Sequence, residues 1–203
     1  MRYAICNELF EEMPWEQALQ LSLEHGYSGW EIAPFTLGEQ PTMVNSSRRA
    51  ELSKLVQEAG VEVVGLHWLL AKTEGFYLTT DDADIRSRTA EYLCDLTRLC
   101  RDLGGSVMVL GSPQQRNFPD SMSHAQADDN ALTVLERVAP VLEEHQVTLA
   151  LEPLGPGEGN YWNHASQAVS VIERLGCSNI RLHLDVKAMS TEGKPIADVI
   201  RAN

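Results

Sequence analysis

The sequence predicts an α/β barrel of the (β/α)8 type, and three observations carry that prediction. The order strand, polar loop, helix, short turn recurs six times along the 203 residues. Four of the helical stretches stop at a glycine (Gly26, Gly60, Gly104 and Gly176), the residue that best adopts a left-handed C-cap. The turns after those glycines enter the next strand directly, whereas the long loops follow the strands. That asymmetry belongs to a barrel whose working face lies at the strand C-termini. A doubly wound open sheet is the competing architecture, but it carries a glycine-rich turn after its first strand, and CNELFEEMP contains no glycine.

In chain order, Tyr3–Cys6 reads as the first strand, and Pro14 opens a helix that runs to Gly26, its missing N–H being harmless at that position. Gly29–Phe35 is the second strand, with Trp30 and Ile32 on one face and Glu31 and Ala33 on the other. Asn45-Ser46-Ser47 caps the helix that ends at Gly60. The third strand, Val61–Leu70, is followed by a long helix from about Asp81 to Leu103, with Asp82 and Asp84 in its favourable first turn. Ser106–Leu110 is the fourth strand. Ser123 and Gln126 read as a capping box for a helix reaching His145. After the fifth strand, Asn163 caps a helix to Gly176, the sixth strand follows, and Pro195–Asn203 holds the first turns of a sixth helix. The expectation is therefore one barrel domain over 1–203, incomplete, with about six βα units and without strands seven and eight.

The fifth and sixth strands bear the chemistry. In VTLALE, alternation puts Val147, Leu149 and Leu151 on one face and Thr148, Ala150 and Glu152 on the other. In IRLHLDVK it puts Ile180, Leu182, Leu184 and Val186 against outer helices, and Arg181, His183, Asp185 and Lys187 inward. Each strand thus delivers an acid to the C-terminal end of its polar face, where a barrel makes its strands converge on one mouth.

A net charge of −13 argues against any partner held by phosphate neutralisation, so no nucleic acid is expected. Cys6, Cys94, Cys100 and Cys177 show no CxxC pairing and read as reduced core cysteines. The first residues lack the apolar run of a signal peptide, and no stretch is long enough to span a membrane, which makes the cytoplasm the expected location.

The segments GYSGWEIAPF, GLHWLL, ALEPLGPGEGNYWN and RLHLDVKAMS resemble the xylose isomerase-like TIM barrels, in particular the sugar phosphate isomerase/epimerase branch that includes the ketose 3-epimerases. The resemblance implies that Glu152 and Asp185 are ligands of a divalent metal and that Glu158, in the loop after strand five, helps hold a small sugar. It also implies the mechanism: the metal stabilises an enediolate while Glu152 accepts a proton. Hard oxygen donors suit Mn²⁺ or Mg²⁺, with Co²⁺ or Zn²⁺ as further candidates. Three departures stand out. The family's remaining ligands, a His on strand seven and a Glu on strand eight, lie beyond Asn203. Ala188 replaces a substrate-binding histidine, and the histidine cluster of the related DNA-repair endonucleases is missing.

Several readings stay open on sequence alone. Both acids are also read as hydrogen-bonded strand ends. Lys187 either meets a substrate anion or is a surface lysine, and His67 either contacts substrate or is a satisfied core histidine. Glu31 reads as a buried structural carboxylate, and His183 as a packing or orienting residue below Asp185. Trp68 and Trp162 suit a sugar pocket, though core packing is the commoner use of such rings. A metal-dependent lyase or dehydratase on the same barrel is the second function class. A truncated barrel, inactive or completed by a partner, is the third. Unpaired strand edges point to a homo-oligomer.

Overall fold

The computed structural model of the chain describes residues 2–10 and 12–203. Six strands, β1 (Ala4–Cys6), β2 (Gly29–Ile32), β3 (Glu62–Leu66), β4 (Val107–Leu110), β5 (Thr148–Leu151) and β6 (Ile180–Leu182), form one sheet. Every neighbouring pair is parallel and the spatial order is the sequence order. A doubly wound sheet reverses its strand order at a switch point; here no reversal occurs, and the strands are consecutive barrel staves. Among the described residues β1 and β6 are each paired on one side only.

The long helices are α1 (Trp15–Glu24), α2 (Ser46–Glu58), α3 (Ala83–Asp102), α4 (His124–His145) and α5 (Ala165–Leu175). They cover the outer face, where Val147, Leu149 and Leu151 of the fifth strand region join one core with Trp30, Ile32, Leu93, Leu96 and Leu135. Trp30 is wholly buried and satisfies its indole N–H on Ser22 Oγ at 2.9 Å. All four glycines expected to stop helices have positive φ. Asn45, Asp82 and Ser123 accept from backbone N–H groups at the starts of α2, α3 and α4.

The structure corrects several boundaries. β2 ends at Ile32, where Pro34–Leu37 tightens into a 3-10 turn, and β3 ends at Leu66 rather than Leu70. The cap of α5 is His164; Asn163 instead donates to Leu154 O and Gly159 O, both at 2.9 Å, and so ties the loop after β5. The largest correction is at β6, which stops at Leu182. Asp185 then caps a short helix, α6 (Val186–Met189), and α7 (Ile196–Ala202) follows. Strand alternation therefore fails beyond His183. Val186 is 64% exposed, while Leu182 and Leu184 pack beside a small cluster of Ala165, Met189 and Val199. Nor are the cysteines all core residues. All four are free; Cys100 lies in the core, Cys94 and Cys177 are partly buried against it, and Cys6 is partly buried at the end of β1.

Candidate functional site

Glu152 follows β5 directly. Its N–H bonds to Leu110 O at 3.2 Å, which continues the β4–β5 ladder by one step and fixes where the side chain leaves the sheet. The carboxylate passes over Gly111, where a Cβ would lie 1.7 Å from Glu152 Oε2 and 2.9 Å from Cδ. Only glycine leaves that space. Burial pushes the Glu152 carboxyl above the ordinary range. His183 and Arg116 oppose the shift, and Asp185 and Glu158 reinforce it.

His183 continues β6 through its N–H to Leu151 O, at 2.8 Å, and its Nε2 lies 3.5 Å from Glu152 Oε1. It therefore stands beside the acid, not below it. Asp185 Oδ1 accepts from Ala188 N–H at 2.6 Å, and the Asp185 charge still reaches Glu152. One Asp185 oxygen thus caps the turn that opens α6.

Glu158 and Lys187 meet each other, Nζ to Oε1 at 2.9 Å, with the lysine outermost and its pKa raised by that contact. His67 follows β3 and lies against Glu8. It is 6% exposed, with Nε2 at 2.9 Å from Glu8 Oε2 and with Cys6 and Glu31 nearby. Trp162 is fully buried in the core, as the commoner reading of such rings had it. Trp68, by contrast, is 49% exposed, with φ of +52°, and walls a cleft of about 270 Å³ with Ala71, Lys72, Ser112 and Pro113.

Sequence reasoning missed Arg116. It is 1% exposed, and its Nη1 donates to Glu152 O at 2.8 Å and Leu110 O at 3.3 Å, clasping the ends of β4 and β5. The guanidinium lies 5.2 Å from the Trp162 ring, and burial pushes its pKa down to about 10 against the pull of Glu152, Tyr161 and Glu158. The available signal was an arginine in a proline-bounded loop after a strand, away from any helix face that would solvate it. Asn117 and Asn160 staple this loop to the one after β5: Asn160 N–H donates to Asn117 Oδ1 at 2.8 Å, and Phe118 N–H donates to Asn160 Oδ1 at 3.0 Å.

Parallel staves with acids and a histidine gathered where β5 and β6 end define a β/α-barrel protein with an acid-lined mouth. The chain belongs to the xylose isomerase-like TIM barrel family, whose model matches residues 19–203. It is 32% identical over 130 residues to an L-ribulose 3-epimerase of Mesorhizobium japonicum, an alignment covering 61% of this chain and 42% of that protein. It is 24% identical over 194 residues to a probable ketose 3-epimerase of Synechocystis, covering 92% of this chain and 61% of the relative. The chain thus spans less than two thirds of either curated relative. In fold it is similar to the D-psicose 3-epimerase of Clostridium cellulolyticum H10, with a TM-score of 0.85 and 19% identity over 99% of this chain and 69% of that one. Among the described residues no helix is long and apolar enough to cross a membrane.

Proposed function

We propose that this barrel serves a divalent-metal-dependent isomerase or epimerase of a small ketose, with Glu152 and Asp185 as metal ligands and Glu152 as the proton acceptor. The observation that carries the reading is the crowding at Glu152: a largely buried carboxylate has two further acids, Asp185 and Glu158, close enough to raise its pKa. Carboxylate oxygens are the donors that a hard cation such as Mn²⁺ or Mg²⁺ takes. When bound, the ion supplies positive charge beside the substrate's carbonyl and hydroxyl oxygens. Glu152 takes the proton from the carbon next to the carbonyl, and return of a proton from solvent water to the opposite face of that carbon gives the epimer. His183 stands beside the Glu152 carboxylate, Nε2 at 3.5 Å from Oε1, and Arg116 fixes the backbone from which that carboxylate projects. Glu158 orients substrate hydroxyls once it exchanges Lys187 for them, and the cleft beside Trp68 takes the far end of the sugar. The names of the two sequence relatives supply the substrate class.

The test is proton exchange. A ketose panel incubated with the chain and Mn²⁺ in deuterated water is expected to gain deuterium at carbon three together with the carbon-three epimer, both visible by NMR. Loss of water from the substrate without epimer formation would favour a dehydratase instead. For assembly we propose a homo-oligomer, because among the described residues β1 and β6 each present an unpaired edge. Light scattering that reports a monomer at every concentration would contradict this.

Gly111→Ala separates fold from site. The added Cβ meets the flexible end of Glu152, so the fold is expected to survive while the carboxylate is displaced. Calorimetry should then find Mn²⁺ affinity lowered by roughly 10–100-fold, the range for disturbing a ligand's support. Unchanged affinity would mean that the Glu152 position does not matter to the ion.

A further inference from the structure

The ends of the first three strands hold a group of side chains that the epimerase reading leaves unused. Cys6 of β1 stands in register with Glu31 of β2, and His67 follows β3 with its N–H on Ile32 O at 3.1 Å. One ligand atom from each of Cys6, Glu31 and His67 lies within 4.8 Å of the others. His67 is almost wholly buried, yet neither ring nitrogen has a hydrogen-bond partner. Glu8 Oε2 comes within 2.9 Å of Nε2 without a hydrogen bond between them, and this oxygen is itself buried and unpartnered. Buried polar atoms are nearly always satisfied, so an orphaned imidazole beside an orphaned carboxylate oxygen asks for a further occupant. The surrounding charge has one sign. Burial and the carboxylates of Glu8, Glu31 and Glu152 together push the Cys6 thiol up to about 12, the direction that a cation would reverse.

We propose that Cys6, Glu31 and His67 form a second metal site, for a borderline-soft divalent ion and Zn²⁺ in particular, with Glu8 beside the imidazole. The donor set decides the ion. Sulfur and nitrogen donors select zinc, whereas the carboxylates of Glu152 and Asp185 select hard ions. The two sites would therefore load differently, and the inference stands independently of the epimerase reading. On binding, the Cys6 S–H bond breaks, a sulfur–metal bond forms and the proton leaves to solvent. His67 gives the lone pair of its unprotonated nitrogen, and nothing is oxidised or reduced. Glu8 supplies an oxygen as the fourth ligand or holds the ring in orientation. An ion held there ties together the ends of three consecutive strands.

Cobalt(II) is the probe, since thiolate coordination gives a near-ultraviolet charge-transfer band that oxygen ligands cannot. The wild-type chain is expected to develop this band, saturating at one equivalent, and to lose it when Zn²⁺ is added. Calorimetry in buffers of different ionisation enthalpy should find about one proton released per ion, as thiolate ligation requires. Cys6→Ser is expected to abolish the band, and Glu31→Gln to weaken binding by at least about 100-fold, the upper range for losing even an outer supporting group. A chain carrying Cys94→Ser and Cys177→Ser should keep the band, as should one carrying Glu152→Gln and Asp185→Asn. Wild-type protein that shows no thiolate band with Co²⁺ overturns the proposal without recourse to any variant, and so does a band that survives in Cys6→Ser.

Discussion

Glu152→Gln is expected to slow proton exchange at the substrate's carbon three by at least about 10²-fold, the lower end of what a positioned general base contributes. The amide keeps the shape of the side chain but cannot accept the proton, and it offers the ion one neutral oxygen. The pH dependence follows from the direction of the Glu152 shift. Burial raises its pKa, with Asp185 and Glu158 adding to the rise and His183 and Arg116 opposing it. That shift belongs to the metal-free chain, whose stability should fall as pH rises. A carboxyl whose folded pKa is raised contributes stability that is fully present below its unfolded pKa and lost as pH rises through the folded one. Urea unfolding of wild type against Glu152→Gln across that window should show a downward slope with pH that the variant lacks. Equal exchange rates in the two proteins would remove Glu152 from the chemistry.

Gly65→Ala is expected to be the most damaging small substitution for the fold. Gly65 is the β3 residue opposite Val107 of β4, and a Cβ there would stand 1.7 Å from Val107 O and 2.6 Å from its carbonyl carbon. Unlike the carboxylate over Gly111, that obstacle is backbone and cannot swing aside. The β3–β4 register pairs Gly65 with Val107 and Leu66 with Met108, preceded by Ser106 N–H donating to Val64 O at 3.0 Å. Overpacking of this kind should cost about 3 kcal/mol or more, which for a chain of this size is roughly 6–12 °C in Tm. Gly157→Ala, with nothing within 4 Å of its added Cβ, is the control and should stay within about 0.5 kcal/mol of wild type. Urea unfolding of the three proteins reads the comparison directly, and a Gly65→Ala chain as stable as wild type would mean that β3 and β4 are not packed this closely.

The barrel was legible in the sequence because its signals are local. Period-two alternation, glycines after helices and short turns into strands are each written in a few consecutive residues, and each survived except where alternation runs past the end of β6. The site was legible only in part. Alternation through LHLDVK continues past the point where the backbone turns away, so it assigned Asp185 and Lys187 to a strand they do not belong to. The same error put His183 one layer too deep; with β6 ending at Leu182, it comes level with Glu152. Arg116 binds carbonyls from two other strands, and no local pattern announces partners that arrive by tertiary packing. Cys6 and Glu31 are neighbours only through strand register, which a three-residue β1 cannot declare by itself. Glu152, Glu158 and Asp185 were singled out through family likeness joined to strand ends. Their convergence around one carboxylate is a property of the folded chain.

The most direct measurement of the account is calorimetric titration of Mn²⁺ into this chain and into the variant carrying Glu152→Gln with Asp185→Asn. The wild-type chain is predicted to bind one ion weakly, with a Kd on the order of 10⁻⁴–10⁻³ M as befits a site with few protein ligands, and the variant to show no such binding. Identical titrations for the two proteins would contradict it.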